Sequence, residues 1–121
     1  MEQESTIEAT LQTYGEGLYH SNPDKIRQAF HPAAKISGYI EGQLGEFTVE
    51  QLAEMVEKQV PSDQEKGLSQ LFEIISSQQS GQTAMAVVRD QFMGMTFLDT
   101  LSLLEVDGQW VIYNKLFHVE D

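Results

Sequence analysis

A chain of 121 residues with 40% hydrophobic content, three prolines and no cysteine is one globular domain, residues 1–121, long enough to bury a core without crosslinks. Nineteen acidic against seven basic side chains give a formal charge of −12, which opposes binding to nucleic acid or to an anionic membrane surface, because no cluster of Lys or Arg offsets the repulsion. The missing cysteine removes disulfides, thiolate catalysis and Cys-ligated zinc.

The N-terminal stretch "MEQESTIEAT" is acidic and polar, and no apolar run approaches membrane-spanning length, so a cytoplasmic protein is expected. Ser5 followed by Glu8 is a capping box. Ile7, Leu11, Tyr14 and Leu18 then form one stripe of a first helix. Asn22-Pro23 starts a short second helix with Ile26, Ala29 and Phe30 on its apolar side, and His31-Pro32 ends it. "AKISGYI" reads as a strand and "EGQLGEF" as a turn followed by a minor second strand. Thr48 and Gln51 cap a third helix, "VEQLAEMVEKQV", closed by Pro61.

From Leu68 the period changes from 3.6 to 2. Four strands are expected, at about 68–79, 82–92, 96–106 and 109–119, with turns at Ser80-Gly81, Met93-Gly94 and Asp107-Gly108. Asp-Gly is the strongest of these, since it tolerates the positive φ angles of a two-residue hairpin turn. Helices followed by an antiparallel meander make an α+β fold with the helices on one side of the sheet.

The last hairpin raises the functional question. Pairing Val106 with Gln109 and continuing without interruption puts Phe97, Asp99, Leu101, Leu103, Trp110, Ile112, Asn114, Leu116 and His118 on one face. That face is apolar enough to be the covered one, so Asp99 stands where a core residue belongs. A buried carboxylate without a partner costs several kcal/mol or stays protonated. Asp99 with Asn114 and His118 therefore either lines a ligand cavity or makes a structural bond. The opposite face carries Leu98, Leu104, Val111, Tyr113 and Phe117, which suits a homodimer packed sheet to sheet.

Paired helices leading into "AFHPAAKISG", a third helix and the terminal "DTLSLLEVDGQWVIYNKLF" together resemble the nuclear transport factor-like superfamily. Within it the closest likeness is to the small bacterial proteins called putative lumazine-binding, through the "GLY" late in helix one, the "F-H-P-x-A" step and the "D-x-L-x-L…DG-x-W-x-I-x-N-K-x-F" ending. The resemblance implies a cone-shaped, cystatin-like barrel: a curved, mostly antiparallel sheet wrapped around three helices. It also implies a comparison with the ketosteroid isomerase-like and polyketide cyclase-like enzymes of that superfamily. Tyr14 falls at the oxyanion tyrosine and Asp99 on the strand of the oxyanion aspartate. The general base falls at Gly38, which moves no proton.

The expected function is small-molecule binding in a pocket of Tyr14, Phe30, Asp99, Trp110, Asn114 and His118, with Tyr14 and Asp99 bonding a carbonyl-like group. One alternative is a general acid–base enzyme of the isomerase, cyclase or dehydratase type using Asp99 and Tyr14 with His118 or His31. Another is a structural dimer module with a filled cone. His20, His31 and His118 are too dispersed to hold a metal, and no cofactor motif occurs.

Overall fold

The structure, a computed structural model, describes residues 6–120. Helices α1 (Ile7–Tyr19) and α2 (Pro23–Ala29) lead into strands β1 (Phe30–Ile40) and β2 (Gln43–Thr48). Helix α3 (Val49–Glu57) follows. The chain then runs through β3 (Phe72–Ser80), β4 (Thr83–Phe92), β5 (Met95–Val106) and β6 (Gln109–Glu120).

The sheet order is β2-β1-β6-β5-β4-β3, with every neighbouring pair antiparallel except β1 and β6, which run parallel. The six strands form an open mixed sheet whose inner face carries the three helices, so the cone expected from the sequence is present. Helix α1 packs on β4 and β6, and α3 on β1 and β2. Their buried residues (Leu11, Tyr14, Leu18; Leu52, Ala53, Val56) meet Ile36, Val88, Phe97, Leu101 and Ile112 of the sheet.

Local chemistry sets the element ends. Thr6 caps α1 by accepting from the Ala9 N–H at 3.0 Å. The expected partner in that cap, Ser5, lies outside the described residues. The Thr48–Gln51 capping box is formed in full. Two-residue turns at Glu41-Gly42, Met93-Gly94 and Asp107-Gly108 have positive φ at both positions, the hairpin geometry that matches strand twist. The β3–β4 turn lies one residue later than expected, at Gly81-Gln82, because Ser80 pairs with Thr83. Strand β3 starts at Phe72, four residues later than the alternation suggested.

One register difference reorganises the functional face. The β5–β6 ladder pairs Leu103 with Ile112 but Ser102 with Asn114, leaving Tyr113 as an extra residue in β6. Such a bulge moves every later side chain to the opposite face. It sits where β1 joins β6: the parallel pairing jumps from Phe30↔Ile112 to Lys35↔Asn114, and the Tyr113 ring meets the His31 ring at 5.2 Å. Asn114, Leu116 and His118 consequently stand on the outer face and are exposed, while Lys115 and Phe117 turn inward. The expected grouping of Asn114 and His118 with Asp99 is thus corrected, as is that of Phe117 with the outer face.

Candidate functional site

Four polar side chains meet inside the cone. Tyr14 comes from α1, Asp90 from β4, Asp99 from β5 and Lys115 from β6. Tyr14 and Asp99 are fully buried, and Asp90 and Lys115 are 1% and 6% exposed. The alternation that puts Ala84, Ala86 and Val88 inward also brings in Asp90, and β4 pairs Val88 with Asp99. The two aspartates are therefore diagonal neighbours on one sheet face.

The hydrogen bonds run in one direction. Lys115 Nζ donates to the Tyr14 hydroxyl oxygen at 2.6 Å, and that hydroxyl donates to Asp99 Oδ2, also at 2.6 Å. Lys115 Nζ lies 3.8 Å from the same Asp99 oxygen. It is also 5.0 Å from the centre of the Tyr14 ring and 5.8 Å from that of Phe117. The Tyr14 ring is held edge-on by Phe30 and Phe72, at 5.5 and 6.3 Å.

Among the described residues, both Asp90 oxygens and Asp99 Oδ1 have no hydrogen-bond partner. Buried acceptors without donors are costly, and a proton supplies what is missing. Burial first, and then the neighbouring Asp99, push the Asp90 carboxyl well above the usual carboxylate range; the Lys115 charge opposes this less strongly. A protonated Asp90 offers a donor where the carboxylate would offer none. Burial, with the charges of Asp90 and Asp99, also raises the Tyr14 hydroxyl well above its ordinary value, so it stays a neutral donor. The interior then holds one ammonium, one carboxylate, one carboxylic acid and one phenol, with no net charge.

A cavity of about 50 Å³ adjoins this cluster. Its wall is apolar (Leu18, Ile36, Leu52, Phe92, Phe97 and Phe117 among others), with a rim of Ile40, Phe47, Met55 and the exposed Met93. Asp90 and Lys115 are its only polar lining side chains among the described residues. The volume accommodates a few waters or a small group of ligand atoms.

The six residues expected to line the pocket separate accordingly. Tyr14 and Asp99 are bonded to each other, but they lie one layer behind the wall, reached through Lys115 and Asp90. Phe30 buttresses Tyr14, and Trp110 is core whose backbone oxygen accepts from the Thr10 hydroxyl at 2.8 Å. Asn114 and His118 are on the other side of the sheet. His31, the other candidate base, accepts the Ala33 N–H through Nδ1 at 3.0 Å at the start of β1, away from the cavity. Asp90 and Lys115 were the residues missed. The alternation of β4 was the signal for the first, and nothing short of the bulge reveals the second. No group of three or more metal-ligating side chains occurs among the described residues.

Residues 2–118 match the family described as putative lumazine-binding. The chain belongs to the putative lumazine-binding family. Among solved structures, an NTF-2 like protein of unknown function from Silicibacter pomeroyi superposes with a TM-score of 0.86 at 24% identity, covering 94% of this chain and 92% of that one. An NTF2-like protein of unknown function from Shewanella baltica gives 0.81 at 24% identity, covering 95% and 91%. At these identities the likeness fixes the fold, which is NTF2-like. Among curated proteins, the aldolase FrzH of a Cladobotryum species is 22% identical over 110 residues, 91% of this chain and 86% of its own length.

Sterics account for the glycine at position 38, where the resemblance to ketosteroid isomerase-like enzymes would place a general base. A Cβ on Gly38 would lie 2.4 Å from the Phe117 carbonyl oxygen and 2.5 Å from its ring. Phe117 in turn stacks with Phe47 at 6.4 Å. Aromatic floor occupies the space an acidic side chain would need.

Proposed function

We propose that the protein binds a small, neutral, carbonyl-bearing molecule at the apolar cavity beside Asp90 and Lys115. The observation that carries this reading is the composition of the wall: apolar surface with one acid and one amine converging on it, the usual make-up of a small-molecule site. A carboxylate ligand would add a second negative group near Asp99, and a cation would face Lys115. A neutral acceptor oxygen meets two donors at once. In a titration of the isotope-labelled protein with acetamide, the expected result is saturable shift changes at the lining residues Ile36, Leu52 and Met55. Leu52→Phe, which fills the cavity from α3, should abolish them. Uniform or absent changes would remove the pocket from consideration.

A second reading, a general acid–base enzyme, is favoured by a carboxylic acid held protonated next to a carboxylate. Such a pair supplies both a proton donor and an acceptor. The aldolase relative is compatible with it.

The assembly we propose is a homodimer through the outer sheet face. Leu98, Leu104, Val111 and Tyr113 stay on that face, joined by Met85 and the 54%-exposed Leu116, in place of the inward Phe117. This much apolar surface on a sheet otherwise rich in Thr and Ser is stabilised by a second copy. Leu116→Asp is expected to give monomers in sedimentation velocity at micromolar concentration, with the helical signal of the fold unchanged. A wild-type chain that sediments as a monomer would overturn the assembly.

A further inference from the structure

We propose that Lys115 forms a covalent imine with an aldehyde or ketone held in the cavity, an inference that rests on the binding reading above. Three observations point to it. First, the Lys115 amine lies on the wall of an apolar cavity, within reach of a molecule bound there. Second, its proton has an exit. Lys115 donates to the Tyr14 oxygen and Tyr14 donates to Asp99, each at 2.6 Å, so one concerted shift along two bonds leaves a neutral amine and a protonated Asp99. Third, the acid on the same wall, Asp90, has no hydrogen-bond partner of its own among the described residues and is free to serve a bound oxygen.

The fold does not require an amine here. An apolar residue with a neutral neighbour packs such a position at least as well as a buried ion pair, and the surrounding floor is already Phe97 and Phe117 at 5.7 Å. A lysine buried in an apolar pocket beside proton acceptors is the arrangement that imine chemistry needs.

After the proton has moved to Asp99, the amine lone pair forms the C–N bond and the carbonyl π pair moves to oxygen, which takes the Asp90 proton. The nitrogen returns one proton to Asp90. Asp90 then protonates the hydroxyl, the C–O bond breaks, and water leaves as the nitrogen lone pair closes the C=N bond. A proton passes from Asp99 to Asp90. The sum is ammonium plus carbonyl giving protonated imine plus water, with the Asp99 carboxylate beside the iminium charge. No oxidant, metal or second substrate is consumed.

The test is reductive trapping of the wild-type chain with acetaldehyde and sodium cyanoborohydride, followed by peptide mapping of the added ethyl groups. Lys25, Lys35, Lys58 and Lys66 are internal controls, because they share the reagent but not the cavity. The expected result is ethylation of Lys115 about tenfold or more faster than of any of these four, reflecting proximity to a bound carbonyl and its acid. Acetamide, which fits the same donors but forms no imine, should slow the Lys115 reaction alone. Labelling of Lys115 at or below the rate of the four controls overturns the proposal. If acetamide still produces its shifts at Leu52 and Met55 in that case, the binding reading stands and only the imine falls; if it does not, both fall.

Discussion

Lys115→Met is expected to cost about 3–5 kcal/mol, which for a domain of this size lowers Tm by about 10–20 °C. The loss comes from what is left behind. Asp99 is fully buried and keeps only the Tyr14 hydroxyl as a donor, with the ammonium at 3.8 Å gone. A buried carboxylate deprived of its cation is among the most destabilising single defects. Two companion measurements separate this cause from lost packing. Lowering the pH should restore part of the loss, because the penalty belongs to an uncompensated buried negative charge and not to the carboxyl group as such. The double variant Lys115→Met with Asp99→Asn should recover most of the loss, because a neutral amide removes the uncompensated charge. Calorimetry of the wild type and both variants decides. A single variant within about 1 kcal/mol of the wild type would mean the pair contributes little in its burial. A double variant no better than the single would mean that Lys115 acts through its packing.

The same residues explain how far the sequence could be read. Asp99 is legible in the sequence as an inward carboxylate, because Phe97, Leu101 and Leu103 alternate around it and the Asp107-Gly108 turn anchors the hairpin. Asp90 was open to the same reasoning, since it follows Ala84, Ala86 and Val88 at period 2 in a strand of exposed and buried alternation. Lys115 was not. A register counted from the turn is reliable only as far as the first bulge, and the extra residue at Tyr113 inverts the seven positions of β6 that follow. No local composition marks that bulge; it follows from the meeting of β6 with the start of β1 at His31-Pro32, a contact between segments far apart in the chain. Gly38 is similar. The resemblance to ketosteroid isomerase-like enzymes implies a missing base there, and only the packing of Phe117 against it says why a side chain has no room. Helix ends and hairpin turns, by contrast, rest on contacts between neighbours in the chain, and these fell within a few residues of expectation.

The stability of the wild-type chain should fall as pH rises from about 4 toward alkaline values, by up to about 1.4 kcal/mol per pH unit for the one proton held by Asp90. The sign follows from the direction of the shift. Burial and the neighbouring Asp99 raise the Asp90 pKa in the folded state, whereas the unfolded chain titrates near the ordinary value of about 3.9. Between those two values the native state binds more protons than the unfolded one, so raising the pH favours unfolding. The contribution is fully present below the unfolded pKa and is lost as pH passes through the folded one. Tyr14, also shifted upward, extends the decline above its ordinary range near pH 10. Self-repulsion from a net charge of −12 has the same sign, and Glu120, held down by Arg89, acts oppositely only at acid pH. Asp90→Asn isolates the buried group. It removes one titration and leaves the surface charges in place. Denaturant unfolding of both chains at intervals from pH 4 to pH 9 should give a steep decline for the wild type and a shallower one for Asp90→Asn, whose advantage widens toward alkaline pH. Parallel curves would mean that Asp90 holds no extra proton in the native state, and the acid required at the cavity wall would be gone with it.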